Sequence, residues 1–397
     1  MTKLPNDWII NRLEDLCEPG KQAIVDGPFG SNLKRSDYVD SGIPVLKIQN
    51  IKENVITLKK MDYVKPEKYE ELVRHSFTEG DIVMTKLGDP LGVSAIVNGI
   101  PNGLIVADLV RIRPSKVLTK FLCYQLNSPR IQKYINEQQK GTTRPRVNLA
   151  MIRELPIYTP PIEEQHKIVE LLEDHLSRLD AALADLKQAK IKAAQFRSSI
   201  LQSAFNRGLA TEHNKSAWTT AQLSELVDIG WGDLQVTKKS YVQTGYLAYS
   251  ATGADGFLPY FDYDSEGIIV SAIGANCGKI FRANGKWSCI KNTMRILPKS
   301  PSVLLDYLFH YLSDSSIFPK RGSGQPFIGQ QDAREIEISF PSIAEQKKII
   351  EFVEYSISRL DSSMKLAEEM EIQSTGLRRS LLQAAFTGQL AKEVVSV

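Results

Sequence analysis

The sequence predicts an α+β chain: two similar globular domains separated by two long helices that form an antiparallel coiled coil, the halves being a pseudo-twofold internal repeat. Three observations predict it. Residues 160–210 recur at 341–391 with 21 identities and no gap, an offset of 181. Each copy of that segment carries a long run of apolar residues at steps of three and four. The stretches before each copy read instead as short strands broken by Gly, Pro and Asn.

The repeat sets the boundaries. It opens with PPIEEQHKIVELLEDHLSRLD (160–180) against PSIAEQKKIIEFVEYSISRLD (341–361) and runs on to RSSILQSAFNRGLA (197–210) against RRSLLQAAFTGQLA (378–391). Fainter matches extend backwards. VRIRP (110–114) answers MRILP (294–298), NDWIINRLEDL (6–16) answers SAWTTAQLSEL (216–226), and Gly141, Pro145, Arg153 and Glu154 answer Gly322, Pro326, Arg334 and Glu335. The expected division is a first globular domain over 1–158, a first helix over 159–213, a second globular domain over 214–340 and a second helix over 341–397.

The helices are the firmest elements. No Pro or Gly interrupts Ile162–Phe205, a run of 44 residues. Its apolar seam is read as Ile168, Leu172, Leu176, Leu179, Leu183, Leu186, Ala189, Ala193, Phe196 and Ile200. The second copy gives Ile349, Val353, Ile357, Leu360, Met364, Ala367, Met370, Leu377, Leu381 and Ala385. A Pro before each helix and an acid in its first turn are start signals. Each helix is about 65 Å long at 1.5 Å per residue and needs a partner, so Leu172, Leu176, Leu179, Leu183, Leu186, Val353, Ile357, Leu360 and Met364 are expected to pair the two. Gly376 stands where the first helix has Gln195, and a local kink is expected there.

In the globular domains IPVLKI (43–48), DIVMTKL (81–87), LVRIR (109–113) and IIVSAI (268–273) read as strands. VLTKFLCYQLNS (117–128) and VLLDYLFHYLSD (303–314) read as helices near each domain's end.

Composition is that of an ordinary globular protein: 397 residues, 42% hydrophobic, 24% charged, net charge +3. No apolar run is long enough to cross a bilayer, and MTKLPNDWII lacks an apolar signal region, so a cytoplasmic protein without a membrane partner is expected. Cys17, Cys123, Cys277 and Cys289 lie far apart, which favours neither disulfides nor zinc. Residues 1–158 hold 23 Lys and Arg against 18 Asp and Glu, whereas 214–340 hold 12 of each. This permits a polyanionic partner.

Catalytic signatures are missing. There is no Gly-rich turn of a methyl-donor site and no (D/N)PP(F/Y) loop. TPPI (159–162) opens a helix, GANCGK (274–279) is a residue short of a phosphate loop and GSGQPF (322–327) lacks a third fingerprint glycine. The histidines show no HExxH spacing. No catalytic residue, metal ligand or cofactor bound by this chain is expected.

The doubled domain-and-helix plan, the two EQxK motifs (Glu164, Gln165, Lys167 and Glu345, Gln346, Lys348), the two SRLD motifs and DGPFGSNLKRSDYVDSGIPVLKIQNI (26–51) resemble the specificity subunit of type I restriction–modification systems. The resemblance covers the whole chain. It implies two target recognition domains reading double-stranded DNA. It implies two modification subunits that bind S-adenosylmethionine and methylate adenine, and motor-nuclease restriction subunits using ATP and Mg where the system restricts.

Phosphate contacts need Lys and Arg; base edges are read by Arg or Lys on guanine and Asn or Gln on adenine. The candidates in the first domain are Lys34, Arg35, Lys47, Gln49, Asn50, Lys86, Arg144 and Arg146. In the second they are Thr252, Asn276, Lys279, Lys291, Asn292, Arg321 and Gln325. Two differing domains imply an asymmetric, two-part site.

Overall fold

The structure is a computed structural model describing residues 5, 7–139, 145–205 and 218–389. It forms two compact units, Met1–Asp185 with Glu369–Val397, and Leu186–Glu368. Each unit thus combines one globular domain with half of each long helix.

In the first unit a four-stranded antiparallel sheet has the order Ser94–Ile96, Ile82–Thr85, Leu109–Ile112, Ile24–Asp26. Every residue of the two central strands is buried, Arg111 and Thr85 included, which is why both read as mostly apolar rather than alternating. A five-stranded sheet lies in the order Tyr38–Val39, Asp62–Val64, Ile43–Leu46, Asn102–Ile105, Ser76–Thr78, with one parallel pairing, Val45 opposite Leu104.

The second unit repeats this topology. One sheet runs Val227–Trp231, Thr293–Pro298, Gly267–Ser271, Ile280–Ala283. The other runs Gly253–Leu258, Tyr246–Ser250, Lys286–Cys289, Tyr263–Asp264, again with one parallel pairing, Ala248 opposite Ser288. Each domain is closed by a two-stranded ribbon tying its start to the strand before its long helix: Ile9–Arg12 with Pro156–Thr159, and Thr219–Gln222 with Glu337–Phe340. The faint match between 6–16 and 216–226 marks this ribbon and the helical turn after it. The helices expected at 117–128 and 303–314 are Thr119–Leu126 and Leu305–Leu312.

The long helices are Ile162–Phe205 and Ile343–Ala385. The second is unbroken through Gly376, where an added Cβ would meet open space. In the first unit the start of one helix shares a core with the end of the other: Ile168, Leu172 and Leu176 join Leu382, Ala385 and Phe386 around Phe121. In the second unit Ile200, Leu201 and Phe205 share a core with Ile349, Ile350 and Val353. Start against end is the pairing that antiparallel helices make.

Along most of both helices the seam follows a heptad, but not always through the residues expected. Leu172 and Leu176 are buried and Leu179, Leu183 and Leu186 half-buried; Val353 is buried and Ile357, Leu360 and Met364 half-buried. Beyond Leu186 and Ala367 the expected register is corrected. Phe196, Met370 and Leu377 are 60%, 46% and 51% exposed and Ala189 is exposed. The less exposed positions there are Lys190 and Ala193 in the first helix, and Ser374 and Arg378 in the second, while Arg197, itself exposed, pairs with Asp361. Seven-residue steps from Leu186 reach Ala193 and Ile200, and from Ala367 reach Ser374 and Leu381. Polar residues occupy the seam here, so the nearest apolar ones mislead.

The two most specific motifs gain structural meaning from these units. Asp180 and Asp361 close the SRLD motifs; Asp180 pairs with Arg378, and Asp361 Oδ1 lies 2.7 Å from Arg197 Nη1. Both pairs join equivalent members of the repeat. The glutamine of each EQxK motif is buried. Gln165 Oε1 accepts the Leu118 N–H at 2.9 Å and its Nε2 donates to Pro160 O at 2.9 Å. Gln346 Oε1 accepts the Leu304 N–H at 2.8 Å, and its Nε2 donates to Ser302 O and Pro341 O, both at 2.9 Å. Leu118 and Leu304 are the N-caps of the domain helices, so each glutamine bolts a globular domain to its long helix.

Candidate DNA interface

In each domain the loops that leave the strands carry most of the candidates, and backbone hydrogen bonds hold them side by side. In the first unit, Lys86 N–H donates to Asp108 O, Val147 N–H to Lys86 O and Gly88 N–H to Pro145 O, at 2.9, 3.0 and 2.9 Å. A Cβ on Gly88 would lie 3.7 Å from the Ile48 side chain, so the 47–50 turn is their neighbour. In the second unit, Ala272 N–H donates to Asn292 O, Ile328 N–H to Ala272 O and Gly274 N–H to Pro326 O, each at 2.9 Å. These are the same three bonds at repeat-equivalent positions. One backbone frame therefore carries Lys86 and Arg146 in one domain and Ala272 and Phe327 in the other.

Within the first cluster, Lys86 Nζ is anchored 2.5 Å from Asp26 Oδ2, and Arg146 is exposed. Lys47 pairs with Asp62 and sits 4.1 Å above the centre of the Tyr38 ring. Gln49 is exposed, its Nε2 donating to Lys60 O at 3.2 Å. Asn50 points inward instead. Fully buried, it donates to Thr57 O and Lys59 O and accepts from Lys47 N–H. That amide is used up in shaping the turn, which leaves Gln49 as the exposed amide there. Lys34 and Arg35 are exposed on a single 3-10 turn. Arg144 lies outside the described residues. Nearby, Arg130 stacks 3.7 Å over the Tyr158 ring and has a packing role.

Within the second cluster, Arg321 and Phe327 exchange two backbone hydrogen bonds, closing a hairpin whose tip exposes Gln325. The Arg321 guanidinium pairs with Asp332. GANCGK is a hairpin turn, as expected of a loop after a strand: Ser271 N–H donates to Lys279 O at 2.8 Å and Lys279 N–H to Asn276 O at 2.9 Å. Asn276 is half-buried and Lys279 exposed. Lys291 is exposed, and Asn292 takes a φ of 71°, a left-handed geometry that Asn tolerates.

Thr252 belongs to a network that residue type alone does not signal. Asp255 accepts from Thr252, from Lys238 Nζ at 2.6 Å, Ser250 Oγ at 2.6 Å and Tyr241 OH at 2.8 Å. Burial opposes the charge on Asp255, but these donors outweigh it and hold its carboxyl down at about 2. The Thr252 hydroxyl accepts a further bond from Lys238 at 2.9 Å, so Lys238 is the exposed cation of this corner. The signal for it lay in the repeat: SDYVDSG (36–42) answers KSYVQTG (239–245), which makes Tyr38 and Tyr241 counterparts.

Among the described residues no group of three or more His, Cys, Asp or Glu is placed to hold a metal ion. All four thiols are buried, and burial pushes Cys17 up to about 12 and Cys289 to about 11, far from a reactive thiolate. No described helix is long and apolar enough to cross a membrane.

Comparison with known proteins follows the same two halves. The model of the type I restriction modification DNA specificity domain matches residues 5–193 and 215–372. The putative type I restriction enzyme MjaX specificity subunit of Methanocaldococcus jannaschii is 22% identical over 98% of this chain and 95% of its own length. The type I restriction enzyme EcoBI specificity subunit of Escherichia coli is 25% identical over 53% of this chain and 43% of its own. In fold, the HsdS subunit from Thermoanaerobacter tengcongensis aligns with a TM-score of 0.61, 18% identity and 98% of both chains covered. A chain from work on complex assembly and conformational transition of the type I R-M system aligns at 0.77, with 18% identity, over 98% of this chain and 99% of that one. The family model matches twice, once on each copy of the repeat, and together the matches span most of the sequence: the chain belongs to the type I restriction–modification DNA specificity family.

Proposed function

We propose that each globular domain reads one part of a split, asymmetric DNA site through its loop cluster, and that the chain delivers that choice to partner subunits which do the chemistry. The observation that carries this reading is the pair of loop clusters, with one backbone frame and different side chains. A common frame presents each cluster to a duplex in the same way, and the side chains differ where two different half-sites need them to. Family membership implies a non-catalytic role for this chain. The partners in this reading are two modification subunits that bind S-adenosylmethionine and methylate adenine. Motor-nuclease subunits using ATP and Mg join where the parent system restricts.

The test is to map methylated adenines in cells carrying the chain with its modification subunits, then replace residues 215–340 with the matching domain of a relative. One part of the methylated motif changes and the other stays. A change in both parts, or in neither, defeats the reading.

A further inference from the structure

Each domain places one large apolar side chain in solvent at the same point of the fold. In the first unit the strand Ile24–Asp26 runs into Gly27, whose N–H donates to Leu109 O at 3.2 Å. A Cβ on Gly27 would lie 2.1 Å from the Val106 carbonyl carbon, so only glycine lets the chain pass. Two residues later Phe29 is 79% exposed. In the second unit the strand Val227–Trp231 runs into Gly232, whose N–H donates to Thr293 O at 2.9 Å. A Cβ there would lie 2.5 Å from Ile290 O. Two residues later Leu234 is 56% exposed.

The strand registers make these positions equivalent. Asp26 faces Val110 and Trp231 faces Met294, and Val110 and Met294 both open the repeated VRIRP and MRILP segments. Gly27 thus matches Gly232, and Phe29 matches Leu234. Both loops then reach a 3-10 turn, Arg35–Asp37 or Lys238–Ser240, with two adjacent exposed cations: Lys34 and Arg35, or Lys238 and Lys239.

A single exposed apolar residue needs no explanation. The same exposure at one clamped position, in two domains that otherwise share little sequence, does need one. The surroundings favour DNA over protein. The exposed residues beside each tip are polar or small, namely Gly30, Ser31 and Asn32 or Asp233 and Gln235, which is a poor apolar core for a protein interface. An apolar tip followed within a few residues by paired cations suits a duplex, where phosphates lie outside and base steps inside.

We propose that Phe29 and Leu234 are the apolar wedges of the two domains, each inserted at a base step of its own half-site, with the cations of the following turn on the neighbouring phosphates. This rests on the DNA-reading function proposed above.

The test uses the full chain assembled with its modification subunits, and duplexes carrying the mapped methylation motif with 2-aminopurine placed at successive positions. Wild type raises the fluorescence at one step in each half. Phe29→Ser abolishes the rise in one half only and Leu234→Ser in the other half only, each weakening binding by about tenfold, the scale of one lost base contact. Phe29→Leu keeps the signal. Both side chains are exposed, so circular dichroism of the serine variants stays that of wild type. Unchanged fluorescence and affinity in both serine variants overturns the wedge. Loss of co-elution with the modification subunits also overturns it, by showing a tip that faces protein. A wild-type complex that prefers no sequence would instead remove the function on which the wedge depends.

Discussion

Replacing Gln346 with Met is expected to loosen the joint between the second domain and its long helix. Gln346 is fully buried and makes three hydrogen bonds, to Leu304 N–H, Ser302 O and Pro341 O. Met fills nearly the same volume, so the packing term is small and the polar term is isolated. Each bond is worth about 1 kcal/mol net, so the loss of three is about 3 kcal/mol. Gln165 makes two such bonds, and Gln165→Met is expected to cost about 2 kcal/mol. A chain of two units does not unfold in one step, so a global midpoint is the wrong measurement. Hydrogen exchange on a peptide covering Ser302–Leu312 reports the joint itself. There a loss of about 3 kcal/mol makes exchange roughly a hundredfold faster where it proceeds by local opening. Lys348, the exposed lysine of the same motif, serves as the control, and Lys348→Ala should leave this peptide within about 0.5 kcal/mol of wild type. Equal protection in Gln346→Met and wild type would refute the bolt and leave the motif's glutamine without a structural role.

Arg144→Ala with Arg146→Ala is expected to weaken DNA binding by the assembled complex; a guanine contact would cost about 1–3 kcal/mol at one position, a phosphate contact a uniform loss across sequences, and unchanged affinity removes this loop from the interface. Asp255 has a carboxyl held below its ordinary value, so its bonds stabilise the fold above about pH 4 and are lost as pH falls through about 2; the stability gap between wild type and Asp255→Asn should therefore be full at pH 6 and shrink towards pH 2, as followed by denaturant melts. The Asp180–Arg378 pair is largely open to solvent on the carboxylate side, so Asp180→Asn should cost less than about 1 kcal/mol in hydrogen exchange of the flanking helix, a larger loss showing a pair better shielded than its surface position allows.

Much of this molecule was legible in its sequence because the information was periodic. A heptad states which face of a helix is buried without reference to anything distant, and an ungapped repeat states that whatever one half does the other does too. The 44-residue first helix, the strands at 82–85 and 109–112 and the burial of Leu172, Leu176 and Val353 follow from such local rules. Where the seam turns polar, around Arg197 and Arg378, hydrophobicity stops reporting the phase, and Phe196, Met370 and Leu377 drew the reading outward. Only tertiary structure decided the rest. Asn50 and Gln49 are neighbours of the same residue class, yet one is sealed in a turn and the other faces water, because a turn spends its amide on carbonyls several residues away. Lys86 and Arg146 come together through hydrogen bonds between loops some 60 residues apart in the chain, and the 47–50 turn packs beside them through Ile48. No pattern along the sequence encodes such a closure, since it is set by where the strands end and by which backbone groups still lack partners there.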